Sequence, residues 1–86
     1  MNSRTDPEFW SGYRHLPEQV RRSARQAYAR FQDDPFHPSL HLKALRGHDG
    51  LWSARITRDY RAVAYREGDT IIWFWIGSHA EFDRTF

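Results

Sequence analysis

The chain has 86 residues, 16% of them aromatic, a net charge of +2 and no cysteine. That length makes one domain, residues 1–86, with a thin core that the aromatic side chains must fill. Disulfides and thiolate metal sites are excluded, and no apolar run reaches the roughly 18 residues a membrane helix needs. The polar stretch Met1–Asp6 lacks the apolar segment of a secretion signal, so the expected location is the cytoplasm.

Asp6-Pro7-Glu8 predicts a helix start: a capping acceptor, proline at the first helical position, and an acid in the first turn. Phe9, Tyr13 and Leu16 then share one face. Pro17-Glu18 opens a second helix with Val20, Ala24, Ala27, Tyr28 and Phe31 along one stripe, while Arg21, Arg22, Arg25, Gln26 and Arg30 take the remaining surface. Asp33-Asp34-Pro35 stops it, because the residue before a proline avoids the α region. The two helices form a hairpin laid on something apolar.

Beyond this break the apolar period changes from helical to alternating or continuous. After a loop at 35–38, Leu40–Leu45 is expected as an edge strand and Gly47–Gly50 as a turn. Leu51–Thr57 alternates Trp52, Ala54 and Ile56 with Ser53, Arg55 and Thr57, the pattern of a half-buried strand. Tyr60–Arg66 is the next strand and Glu67-Gly68-Asp69 a hairpin turn. Thr70–Ile76 has no polar face after its first residue and is expected as a central strand covered on both sides; the tail from Gly77 leaves the sheet. Helices followed by strands give an α+β fold, with the helix hairpin on one face of a mainly antiparallel sheet of about four strands. The other face then needs cover from its own aromatics, from the tail or from a partner.

Twelve of the thirteen basic residues are Arg, the exception being Lys43, and the guanidinium fork suits phosphate and carboxylate alike. His37 and His41 are four apart, but Pro38 breaks any helix between them and no acidic or thiol ligand lies nearby, so no metal site is expected. Ser78, His79 and Asp83 do not make a triad on a strand, since neighbouring residues point in opposite directions. The basic cluster is more informative. Arg55, Arg58 and Arg61 sit close together beside Trp52 and Tyr60, after Lys43 and Arg46, and arginine interleaved with aromatics suits backbone binding with base stacking. The same pattern also describes a solvated strand edge whose Arg stems cover apolar surface. His79 follows the last strand with Glu81 and Asp83 nearby, the surroundings of a general acid or base or of a plain hydrogen-bonded strand end.

The stretches Trp52-Ser53-Ala54-Arg55-Ile56, Asp59-Tyr60-Arg61-Ala62-Val63 and Ile76-Gly77-Ser78-His79 resemble the RelE/ParE toxin superfamily, most of all its RelE/YoeB/YafQ-like ribonuclease branch. The helix hairpin and Leu42-Lys43-Ala44-Leu45-Arg46-Gly47 fit the same family, so the resemblance covers nearly the whole chain. It implies the toxin of a type II toxin–antitoxin system, partnered by a cognate antitoxin in a heterotetramer or larger assembly. It further implies an endoribonuclease that cleaves mRNA on the ribosome without metal or other cofactor. By position, Arg61 would hold the scissile phosphate, His79 would protonate the leaving 5′-oxygen and Arg55 would contact phosphate; the basic cluster adds Arg58, Lys43 and Arg46 as phosphate-binding candidates. The glutamate base of the YoeB type has no counterpart between Ser39 and Arg46, leaving His41, Glu81 or Asp83 as a substitute base or orienting group. The usual long first strand has no room, so Arg4–Asp6 is expected to contribute little. The other readings on this scaffold are a ParE-like toxin that binds DNA gyrase and a binding-only relative.

Arg61 and His79 work together only from one face. A two-residue hairpin turn pairs odd with even positions and turns His79 away from Arg61. A three-residue turn, Glu67-Gly68-Asp69, puts Arg61, Trp73, Trp75 and His79 on one face, and a bulge at Gly77 would re-aim His79. Sequence leaves these open.

Overall fold

The computed structural model describes residues 1–86. In chain order it has strand β1 (Asn2–Thr5), helices α1 (Pro7–Arg14) and α2 (Glu18–Asp33), strands β2 (Lys43–Ala44), β3 (Leu51–Thr57), β4 (Tyr60–Glu67) and β5 (Thr70–Ser78), and helix α3 (His79–Thr85). The sheet order is β1-β5-β4-β3-β2, antiparallel except that β1 runs parallel to β5. This is the expected α+β architecture with five strands instead of four. No helix is long and apolar enough to cross a membrane.

The helix stripes pack as their spacing predicts. Leu16, Ala24, Ala27 and Phe31 are buried against Ala54, Ala62, Ala64, Ile71, Trp73 and Ile76, with Phe9, Tyr13, Val20 and Tyr28 half-buried around them. Four arginines of α2 are tied down locally: Arg21 donates to the Leu16 carbonyl, Arg25 to the Tyr13 hydroxyl and Arg30 to Ser39, while Arg22 pairs with Glu18. Asp6 has the extended backbone of a capping residue, yet its side chain makes no capping bond.

Three expectations need correction. Arg4–Asp6, expected to contribute little, belongs with β1: Asn2–Thr5 pair with Thr70–Trp73, and an Asp6 N–H bond to the Trp73 carbonyl, 2.8 Å, extends the ladder. Its residues are polar because none is buried, two being exposed and two half-buried; backbone pairing holds it, and backbone pairing leaves no apolar signature. The Leu40–Leu45 edge strand shrinks to Lys43–Ala44, because Pro38–Leu40 form a 3-10 turn that buries Leu40 and ends on His41 in the left-handed region at φ 47°. The last strand runs on to Ser78, so the tail leaves the sheet two residues later than expected and then folds back as α3, opened by Ser78 and Glu81 as a capping box.

α3 covers the middle of the outer face, the sheet face away from the helix hairpin. Phe82 and Phe86 pack against Trp75, and Phe86 also meets Phe74 and His48, whose Nε2 bonds the Phe86 carbonyl at 3.1 Å. The helix thus runs from the end of β5 back towards the loop before β3, over Val63, which is fully buried. These aromatics form a second, smaller core.

The hairpin register decides where the candidate residues face. Glu67 pairs with Thr70 across a two-residue turn, Gly68-Asp69, with Gly68 at φ 58°. The three-residue turn is therefore absent, and so is a bulge at Gly77. The compensating extra residue is Phe74: Ala64 pairs with Trp73, but Val63 pairs with Trp75. Phe74 and Trp75 both turn to the outer face, where each meets Phe86, while Trp73 lies in the helix-side core against Phe31. Beyond the bulge odd pairs with odd, so Arg61 stands directly opposite Gly77.

Candidate functional site

Arg55 of β3 pairs with Arg61 of β4, which pairs with Gly77 of β5, so the two arginines lie side by side on the outer face. At Gly77 the row has no side chain. A Cβ there would come within 2.8 Å of the Trp75 indole, which lies over this glycine. Gly77→Ala is expected to push Trp75 off its seat and cost about 1–3 kcal/mol by overpacking, read as a lower urea midpoint with altered tryptophan fluorescence.

Arg61 bends towards the β3–β4 turn. Its Nη1 donates to the carbonyls of Thr57 (2.7 Å), Tyr60 (3.0 Å) and Arg58 (3.1 Å), which fixes the side chain and leaves Nε and Nη2 as donors for a ligand. Burial first, then the Arg55 charge beside it, lowers the Arg61 guanidinium below its ordinary pKa, while Asp83 and Asp59 push the other way. Two like charges held together with partial desolvation make a place where an anion is favoured.

His79, the first residue of α3, closes the same corner. Its backbone N–H donates to the Asp59 carbonyl at 2.7 Å, tying α3 to the turn that Arg61 also grips. Its imidazole Nε2 lies 3.5 Å from Asp83 Oδ1, one helical turn on. Asp83 therefore serves both His79 and Arg61. Sequence singled out these three; it missed Thr57 and Asp59, whose contribution is largely through backbone carbonyls that any residue carries.

The other candidates divide. Arg58 sits exposed in the β3–β4 turn beside Arg61. Lys43 pairs with Ser53, one row further along the outer face at the sheet edge. Continued back two residues, that register brings His41 level with Arg55, although its left-handed backbone breaks the strand there. Arg46 lies past β2 near Leu51, about 13 Å of strand from Arg55, and stays outside the cluster. Glu81 is occupied: its Oε1 accepts from both the N–H and the hydroxyl of Ser78 at 3.0 Å, and the Ser78 Oγ accepts from the Glu81 N–H at 3.1 Å.

Those bonds, the backbone one first, hold the Glu81 carboxyl below its ordinary value of 4.5. A carboxyl lowered by folding stabilises the fold above its unfolded pKa, and that contribution disappears as pH falls through the folded value. Glu81→Gln is thus expected to flatten the acid side of the stability profile below about pH 4.5. Ser78→Ala should cost about 1 kcal/mol at neutral pH in urea unfolding.

A second concave surface lies away from this corner. Phe9, Trp10, Tyr13 and Tyr28 line a groove of about 240 Å³ between α1, α2 and β1, with Arg25 on its rim and Trp10 43% exposed.

Fold and site together define a class: a small α+β protein with a helix hairpin on one sheet face and an arginine–histidine corner on the other. The family model of the ParE-like toxin domain matches residues 18–84, and the chain belongs to that family, within the RelE/ParE superfamily. Among solved structures it is similar to the RelE of a RelB–RelE antitoxin–toxin complex from Methanococcus jannaschii, at 19% identity and TM-score 0.79, covering 96% of this chain and 98% of that one. It also resembles YafQ from E. coli strain BL21(DE3), at 9% identity and TM-score 0.74 over 94% and 96% of the two chains. A YoeB/ParE toxin from Agrobacterium tumefaciens gives 20% identity and TM-score 0.69 over 92% and 99%. No curated protein matches in a sequence search.

Proposed function

We propose that this protein is the toxin of a type II toxin–antitoxin system and an endoribonuclease that cleaves mRNA, with the ribosome presenting the substrate. The observation that carries the reading is the outer-face corner, where Arg61 stands beside Arg55 with the His79–Asp83 pair at its edge. In the reaction the ribose 2′-oxygen attacks the adjacent phosphorus. An O2′–P bond forms as the P–O5′ bond breaks, leaving a 2′,3′-cyclic phosphate and a 5′-hydroxyl. Arg61 and Arg55 bind the non-bridging oxygens and stabilise the charge that grows on them. His79 gives its proton to the departing 5′-oxygen, and the 2′-hydroxyl proton passes to water. Glu81 is poorly suited as base, since its Oε1 accepts both Ser78 bonds and those bonds hold its carboxyl below the ordinary value.

The partner is an antitoxin, as in the RelB–RelE relative, which is an antitoxin–toxin complex. The aromatic groove between the helices and β1 suits the apolar face of an amphipathic helix, with Arg25 on the rim to meet an acid. A cytoplasmic setting follows from the substrate.

The experiment is induced expression with mapping of mRNA ends. Wild type is expected to arrest growth and cut mRNA within reading frames, and Arg61→Ala and His79→Ala to do neither. Full toxicity in both variants would overturn the mechanism. The match to the ParE-like family model favours one second reading, a gyrase-binding toxin. Growth arrest with DNA-damage signalling, intact mRNA and a still toxic His79→Gln variant would establish it.

A further inference from the structure

We infer that Asp83 is a positioning residue: it holds the His79 ring by Nε2, so that Nδ1 is the nitrogen that hands the proton to the leaving oxygen. This rests on the ribonuclease reading and adds to it the atom that acts and the group that aims it. The imidazole has two nitrogens, and the one within ion-pair distance of an acid is Nε2, 3.5 Å from Asp83 Oδ1. Neither nitrogen hydrogen-bonds within the protein, and Nδ1 has no charged partner at all. The residue is otherwise pinned through its backbone N–H on the Asp59 carbonyl, and the Phe82 ring, centred 6.1 Å from the imidazole, packs against one side.

Stability does not account for the pair. Its side chains are 46% and 66% exposed, and exposed ion pairs contribute about 0–1 kcal/mol. Its location does. The charged groups around this corner are Asp83 on α3, Arg58 and Asp59 in the β3–β4 turn, Arg55 on β3 and Arg61 on β4. Asp83 acts on Arg61 as well as on His79. It therefore stands between the two groups the reaction uses, and in the step it fixes Nε2–H once Nδ1 has released its proton. During the step the Nδ1 proton moves to O5′, the P–O5′ electrons stay on that oxygen, and the neutral ring remains on Asp83 through Nε2–H.

The test uses the whole protein and a defined RNA, natural or with sulfur in place of the bridging 5′-oxygen, since a thiolate leaves without a proton. Asp83→Asn is expected to lower kcat on natural RNA about tenfold with KM within about twofold, and Asp83→Glu to recover most of that loss. On the sulfur-substituted RNA, Asp83→Asn and wild type should agree within about twofold. Replacing His79 by Nδ1-methylhistidine should abolish cleavage of natural RNA and spare the sulfur-substituted one. Wild-type kcat in Asp83→Asn, the same tenfold deficit on the sulfur substrate, or cleavage of natural RNA by the Nδ1-methyl protein would each overturn the inference. If wild type leaves RNA intact, the ribonuclease reading fails. The orientation is then read by nitrogen NMR: Asp83→Asn should shift His79 Nε2 more than Nδ1, and equal or absent shifts overturn it.

Discussion

Arg61→Ala is expected to reduce RNA cleavage by about 10²–10³-fold, the usual loss when a charge-stabilising donor is removed from a transition state. Arg61→Lys should restore only a small part, because an ammonium keeps the charge but not the fork that holds three carbonyls and a phosphate at once. The same substitution frees the Thr57, Arg58 and Tyr60 carbonyls, and some loss of stability accompanies the loss of rate. Urea unfolding separates the two: a variant folded at the assay temperature and still 10²-fold slow has lost chemistry. Activity within about threefold of wild type would remove Arg61 from the reaction.

The largest expected effect on stability is at Phe31. It is 3% exposed, stacked on Tyr28 and edge-on to Trp73 at 5.4 Å, and it is the point where α2 meets the sheet. Phe31→Ala should cost about 3–5 kcal/mol. A domain of this size holds only about 4–13 kcal/mol in total, so Tm should fall by at least about 12 °C. Phe31→Leu, which keeps most of the volume, should cost less than half as much in the same melt. Equal losses in the two variants would mean that packing at this position is not what joins the layers.

The parts of the fold that bury side chains were legible in the sequence. The stripe from Val20 to Phe31 and the alternation of Leu51–Thr57 each report a face, and both elements lie where those patterns put them. What left no pattern was missed. β1 is held by its backbone, and the run Ile71–Ile76 is apolar throughout, so nothing in it marks Phe74 as the extra residue. The consequence for the site is large, because that one bulge reverses the parity set by the two-residue turn and brings Arg61 opposite Gly77. Ser78-Glu81 is a different kind of miss: the capping-box spacing was in plain view, and taking Gly77 onward as a departing tail passed over it. The same helix ties Glu81 to Ser78 and sets Asp83 beside His79. The arginines and histidine were found from family pattern, and their facing needed the register.

The central claim is that the corner of Arg55, Arg61 and His79 performs 2′-hydroxyl attack on RNA. The most direct measurement is the chemistry of the ends left when the purified protein meets ribosomes programmed with a defined mRNA. A 2′,3′-cyclic phosphate upstream and a 5′-hydroxyl downstream of each cut, absent with Arg61→Ala, is the predicted result. Intact mRNA, or ends bearing a 5′-phosphate, would contradict it.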